Sequence, residues 1–300
     1  MSALTQLLFI AARAAGVTGL ARRVRPGAVV LCYHNIVEQP AEVADPALHM
    51  PVDTFRWQMA FVARHFDVVS LDELEARRVR GASLRGLAAI TFDDAYLGTL
   101  AHGLPVLRAL QLPSTIFVPS DFPGSSDGFW WDDPGARRAV TEAGVRDRWL
   151  DELQGDGSRI RGEPGFAGVS PLACRVADWA ALRAIRSDFV SLGAHSRTHR
   201  SLIALDDRDL AMECEVSAAV LQRETGAEAR WIAYPYGLWD DRVAQASRAA
   251  GYTGGLTLAG ADVTSGTSPW ATPRINIPAG ITNAAFDAWL SGFSHLRRQR

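Results

Sequence analysis

The sequence predicts an α/β fold: an irregular parallel barrel of seven or eight strand–helix units, TIM-like in plan. Three observations predict it. Apolar runs without alternation, such as Ala88-Ala89-Ile90, suit strands covered on both faces. Such runs alternate with stretches of helical periodicity along most of the chain. No composition break divides them, and a single barrel of 300 residues is of ordinary size.

Residues 1–26 stand apart from the domain expected over 27–300. Leu4, Leu7, Leu8, Ala11 and Ala15 form an apolar stripe at helical spacing. The segment has no acid, and Arg13, Arg22, Arg23 and Arg25 interrupt and follow the stripe. A signal peptide carries its charge ahead of the apolar run. This run is also too short to cross a bilayer. Two readings stay open: a helix packed across the barrel bottom, or an amphipathic helix in peripheral contact with an anionic membrane surface. The basic tail, Arg297, Arg298 and Arg300, could join that surface or be a solvated end.

Val29 to Tyr33 reads as a buried strand that delivers His34. A helix over 55–66, a short strand over 67–70 and a helix over 71–78 follow. The next strand ends in Thr91-Phe92-Asp93-Asp94. A helix over 99–110 and the β-branched strand Ser114 to Val118 come next. Residues 121–176 form a long excursion containing Phe129-Trp130-Trp131-Asp132, and loops of that length are functional or disordered. Its aromatics, Trp131 foremost, could stack on sugar rings or plug an exposed core. A helix over 178–185 leads to the strand Phe189 to Leu192. Asp206 caps a helix running to Thr225. After the strand before Tyr234, a helix over 240–250 stops at Gly251. Strands over 252–258 and 272–277 complete the set.

Adjacent carboxylates repel, so Asp93-Asp94 at a strand end asks for a reason. A cation on one of them keeps both ionised and leaves the other free as a base. One Asp could equally cap the following helix. Gly193-Ala194-His195-Ser196-Arg197-Thr198-His199 follows another apolar strand. Two histidines four apart face the same way on a helical turn, and imidazole with carboxylate is a zinc-type donor set. Asp94, His195 and His199 would leave a fourth position for water, as in a catalytic zinc site.

Thr-Phe-Asp-Asp, His-Ser-x-x-His and Tyr234-Pro235-Tyr236-Gly237, in this order, resemble the polysaccharide deacetylases with NodB homology, carbohydrate esterase family 4. The resemblance covers residues 27–280. It implies Asp93 as base, Asp94 with the two histidines as metal ligands, and the backbone N–H of Tyr236, turned by Pro235 and Gly237, as oxyanion donor. The family's late Leu-x-His strand, which brings the acid, is not found. His295 sits in a polar tail, and His34, on a strand that can close the barrel beside the last one, is the candidate acid. It would approach from the side opposite Asp93 and be protonated while Asp93 is ionised. A core histidine is the other reading of His34. Two departures matter: the family's Arg before the Pro is Ala233, with Arg274 a possible replacement, and the Gly after the acid pair is Ala95.

A net charge of −2 makes no case for nucleic acid. Three cysteines at no metal-knuckle spacing suggest reduced core thiols, hence a cytoplasmic protein, peripheral to the inner membrane if the basic helix docks there. The expected function is a metal-dependent hydrolase, zinc the expected ion, removing N-acetyl groups from an amino-sugar glycan or glycolipid precursor. A deformylase or other amidohydrolase, an O-acetyl esterase, and a non-catalytic sugar-binding barrel are the alternatives.

Overall fold

The barrel begins where a polar-anchored helix pair hands the chain to its first strand. The computed structural model describes residues 3–125, 128–166, 171–187, 189–226 and 228–293; the tail arginines 297, 298 and 300, and His295, lie outside these. Ala3–Ala14 (α1) and Val17–Val24 (α2) meet at Gly16, whose φ of 73° turns the chain so that the helices cross at 79°. This corrects the reading of one helix packed across the barrel. There are two helices, and the stripe Leu4, Leu7, Leu8, Ala11 and Ala15 faces outward.

Val29–Tyr33 (β1) follows, then a small parallel pair, Asn35–Val37 (β2) with His49–Pro51 (β3). Val52–His65 (α3), Asp67–Val68 (β4) and Leu71–Val79 (α4) lead to Leu87–Phe92 (β5). Ser70 caps α4, accepting from Glu73 N at 3.1 Å. A wide turn over 99–103 opens Leu104–Ala109 (α5), where one continuous helix was expected. Ser114–Val118 (β6) is as expected.

The excursion is not a bare loop. It carries the short helices Arg138–Thr141 (α6), Val145–Asp151 (α7) and Gly157–Ile160 (α8). Phe129, Trp130, Trp131 and Trp149 are buried in it, so it is a packed cover whose aromatics continue the barrel core. Trp179–Ile185 (α9) returns the chain to Val190–Ala194 (β7). Asp207–Thr225 (α10), Trp231–Ala233 (β8), Asp241–Ala249 (α11), Gly254–Leu256 (β9), Ile275–Asn276 (β10) and Asn283–Ala288 (α12) finish it. Asp206 accepts from Asp209 N at 2.8 Å, which is the cap read from the sequence.

Among the described residues, eight parallel strands make one sheet, ordered β10-β1-β5-β6-β7-β8-β9, with β4 beside the start of β5. The last gap, between β9 and β10, is spanned by the parallel bridge Leu256–Thr272 and the bond from Gly260 N to Arg274 O at 3.0 Å rather than by strand pairing, so the barrel is irregular there. β1 lies between β10 and β5, with Leu31 opposite Ile275 and Tyr33 opposite Phe92. β1, β5 and β6 are buried along their full length, which is why their runs are apolar without alternation. All strands are parallel, so their carboxyl ends share one rim, and chemistry-bearing residues from distant stretches meet there.

Candidate active site

Asp93 and Asp94 leave β5 at that rim, both buried. The chain turns sharply: φ is 71° at Asp94 and 51° at Ala95. Glycine takes such angles freely, whereas alanine there costs about 1 kcal/mol, which explains the family's preference at this position. Asp93 N donates to Tyr33 O at 2.9 Å, tying the acid pair to β1.

Arg274, fully buried, grips Asp93 with both arms: Nη1 to Oδ1 at 2.6 Å and Nη2 to Oδ2 at 2.8 Å. Its remaining donors meet Thr91 Oγ1 and Thr257 O, both at 3.2 Å. Cys32 Sγ donates to Asp93 Oδ2 from 3.4 Å. Burial alone would raise the Asp93 carboxyl, but the Arg274 guanidinium outweighs it and holds the group well below the usual carboxylate range.

Asp94 differs. Both of its oxygens are buried with no hydrogen-bond partner. Facing it are His199 Nε2 at 3.4 Å and His195 Nε2 at 3.7 Å, themselves 3.2 Å apart. Ligands about 2.0–2.1 Å from a tetrahedral ion stand about 3.3–3.4 Å from one another, so this group fits a small divalent cation. Without a cation, burial first and then the Asp93 charge push the Asp94 carboxyl up. An orphaned buried carboxylate is costly, and a bound cation removes the cost.

The two histidines are not on a helical turn, which corrects the sequence reading. They sit in a loop whose Ser196 and His199 have φ of 61° and 57°. His195 Nδ1 lies 2.7 Å from Ala233 O, so Nδ1 carries the proton and Nε2 is free to ligate. Burial lowers the pKa of both imidazoles, leaving them neutral, the form that ligates.

Glu213 holds this loop and was missed in the sequence. From α10 it accepts from Arg197 N at 2.9 Å, from Thr198 N at 2.8 Å and from Thr198 Oγ1. Ser217 Oγ adds a bond to Ser196 O at 2.8 Å. A signal existed: Glu213 is an acid on the buried side of α10, between Leu210 and Leu221. Ser196 Oγ also accepts from His199 N at 3.1 Å.

His34 lies beside Asp93, not across from it. β1 and β5 are neighbours, and a His34 nitrogen is within 4.8 Å of an Asp93 oxygen. Its carbonyl accepts from Thr99 Oγ1 at 2.6 Å. Burial pushes the imidazole down to about 4, so it is neutral at neutral pH, not protonated at rest.

His34, Asp93, Asp94, His195 and His199 line one cavity of about 120 Å³, room for several water-sized groups. Trp130, Trp131, Tyr236 and Arg146 form part of its wall. Trp131 is a fixed part of that wall. Its ring stacks on Phe129 at 4.6 Å and meets His199 at 4.8 Å, and its Nε1 donates to Tyr96 OH at 2.9 Å. Tyr96 OH in turn donates to Asp132 at 3.0 Å, and His49 Nε2 is 3.1 Å from the same carboxylate. This buried network explains the acid after the two tryptophans. Pro235 is buried, and Tyr236 adopts φ 60°, ψ 2° between it and Gly237. The Tyr236 hydroxyl accepts from Trp130 Nε1 at 3.1 Å.

A parallel barrel that gathers a buried carboxylate pair, three metal-type donors and an arginine-held base in one rim cavity belongs to the hydrolases. Residues 81–255 match the family described as polysaccharide deacetylase, more than half of the chain, and the chain belongs to that family. It is therefore a hydrolase acting on carbon–nitrogen bonds other than peptide bonds.

The fold is similar to that of IcaB from Ammonifex degensii, at TM-score 0.64 and 20% identity over 90% of this chain and 97% of that one. The deacetylase PplD of Streptococcus pyogenes in complex with acetate is similar at TM-score 0.62 and 17% identity, over 86% and 96%. A de-N-acetylase from Aggregatibacter actinomycetemcomitans is similar at TM-score 0.59 and 16% identity, over 87% and 99%. No curated protein matches the sequence significantly.

Proposed function

We propose that this deacetylase removes N-acetyl groups from an amino-sugar glycan or glycolipid precursor, using a divalent cation held by Asp94, His195 and His199. The donor set favours zinc. The observation that carries the reading is the meeting, in one buried cavity, of an orphaned carboxylate facing two neutral imidazoles and a second carboxylate kept ionised by Arg274.

A bound cation would lower the pKa of a water and polarise the acetyl carbonyl. Asp93 takes the proton from that water. Oδ2 is its working oxygen, because it is the one 3.8 Å from His195 Nε2. Arg274 keeps the resting carboxylate ionised and holds it in orientation while it takes that proton. His34, neutral at the start and beside Asp93, receives that proton from Asp93 and passes it to the departing amine, which leaves Asp93 ionised again. The Tyr236 N–H is the proposed oxyanion donor, its left-handed backbone supported by Pro235, Gly237 and the bond from Trp130. Trp131 and Trp130 exclude water and shape the entrance.

Acetate release from defined N-acetylated oligosaccharides and lipid-linked amino sugars tests this, with O-acetylated and N-formylated analogues run beside them. Acetate from the N-acetyl substrates, abolished in Asp93→Asn, is the expected result. Release only from the O-acetyl or formyl analogues would move the substrate. Binding without release by the metal-loaded protein would overturn the enzyme reading.

A further inference from the structure

The amino-terminal helix pair is held to the barrel by its polar side. Thr18 Oγ1 donates to Asp287 Oδ2 at 3.0 Å, and Arg22 binds Asp287 and Ser291 Oγ. Arg25, buried, reaches Asp262 and the carbonyls of Trp289 and Leu290. Phe9 is the apolar residue that goes inward. The large apolar side chains point the other way: Leu4, Leu7 and Leu8 are 68%, 63% and 60% exposed, and Ile10 is also exposed. Val17, Leu20 and Val24 continue the patch on α2.

Single exposed leucines need no explanation, but this is a concentration. Of the fifteen exposed large hydrophobic residues among the described residues, seven lie in these twenty-two positions. A helix built only to cover a barrel would turn its leucines inward. This one uses salt bridges to hold on and keeps its apolar stripe free.

Charge indicates the occupant. The groove between this pair and α3 is lined by Arg13 and Arg22, which both pair with Asp287, and by Arg64, which is exposed on α3. Arg23 is exposed nearby, and residues 1–26 contain no acid. A second copy of the chain would bring the same positive rim. A surface bearing anionic phosphates complements it. Length favours lying over spanning. α1 has 12 residues, about 18 Å against the roughly 30 Å of a hydrocarbon core. Among the described residues no single helix is long and apolar enough to cross a membrane, and these two, which reach that length and composition only together, are bent by 79°.

We propose that α1 and α2 seat the barrel on an anionic bilayer, with the Leu4–Leu7–Leu8–Leu20 ridge in the headgroup boundary and Arg23 and Arg64 against lipid phosphates. The surface presents an enzyme of this family to glycan that is made or held at a membrane.

The test is flotation of the full chain with vesicles of phosphatidylcholine containing about 30% phosphatidylglycerol, and with phosphatidylcholine alone. Wild type floats with the anionic vesicles, and salt weakens the binding. The combined variant Leu4→Gln, Leu7→Gln, Leu8→Gln partitions at least about tenfold less. Arg23→Gln with Arg64→Gln loses the preference for anionic over neutral vesicles. The leucines are already exposed, so an unchanged thermal melt accompanies the leucine variant. Wild type that stays unbound on anionic vesicles at low salt overturns the proposal, as does a leucine variant that floats like wild type. A concentration-dependent dimer dissolved by the leucine variant, without vesicle binding, assigns the patch to a second copy instead. The readout needs no activity, so its failure is separate from any failure of the deacetylase reading.

Discussion

Arg274 and Asp93 form a buried two-armed ion pair, at 2.6 and 2.8 Å, although 181 positions separate them in the chain. β1 alone lies between their strands. Breaking such a pair from one side strands a charge in the interior. Arg274→Met should destabilise the fold by about 3–5 kcal/mol, read by denaturant unfolding. The pH dependence follows from the sign of the shift. A carboxyl held below its ordinary value contributes stability that is complete above the ordinary carboxylate range and is lost as pH falls below it. Without Arg274, burial raises the same group, and the acid limb of kcat/KM moves to higher pH. An acid limb unmoved in Arg274→Met removes Asp93 from the role of base.

The orphaned oxygens of Asp94 make a second prediction. Purified protein should carry one divalent ion per chain, and Asp94→Asn, His195→Ala and His199→Ala should each lose it. Added ion at a hundredfold excess over Kd should raise the unfolding free energy of the stripped protein by about 2.7 kcal/mol. Equal ion content in wild type and His195→Ala would rule out the ligand set.

His34, brought down to about 4 by burial, should not set an alkaline limb in kcat/KM, which reports the free protein. His34→Ala should lower turnover by about 10²–10⁴-fold on an N-acetyl substrate. It should cost less where the leaving group needs little protonation. A wild-type alkaline limb near the ordinary histidine value that vanishes in His34→Ala would show the imidazole charged at rest.

Glu213 touches neither cavity nor ligand nitrogen, yet it holds the backbone between the two histidines. Glu213→Gln keeps one acceptor oxygen and loses the charge. Metal affinity should fall by about 10–100-fold, measured by competition with a chelating dye. Glu213→Ala should do worse, and unchanged affinity in both would make Glu213 a purely structural residue.

The sequence by itself determined the parallel α/β barrel and the family. Strands buried on both faces must be apolar throughout, and that leaves a local signature around Ala88 to Phe92 and Ser114 to Val118. Motif residues such as Asp93-Asp94 and His195 with His199 lie close together in the chain, so their types and spacing are readable without coordinates. Tertiary structure decided what distant segments do to one another. That Arg274 turns inward to Asp93 depends on the order of β10, β1 and β5, which no local pattern encodes. That His34 stands beside Asp93 and is neutral depends on the β1–β5 register and on the burial it creates. The histidine loop was read as a turn of helix because spacing of four suits one. The left-handed residues and the Glu213 carboxylate that shape it come from packing against α10. Periodicity found the stripe on α1 but not which way it faces. An amphipathic pattern records only that two sides differ, and here Asp287 and Asp262, late in the chain, claimed the polar side for the barrel.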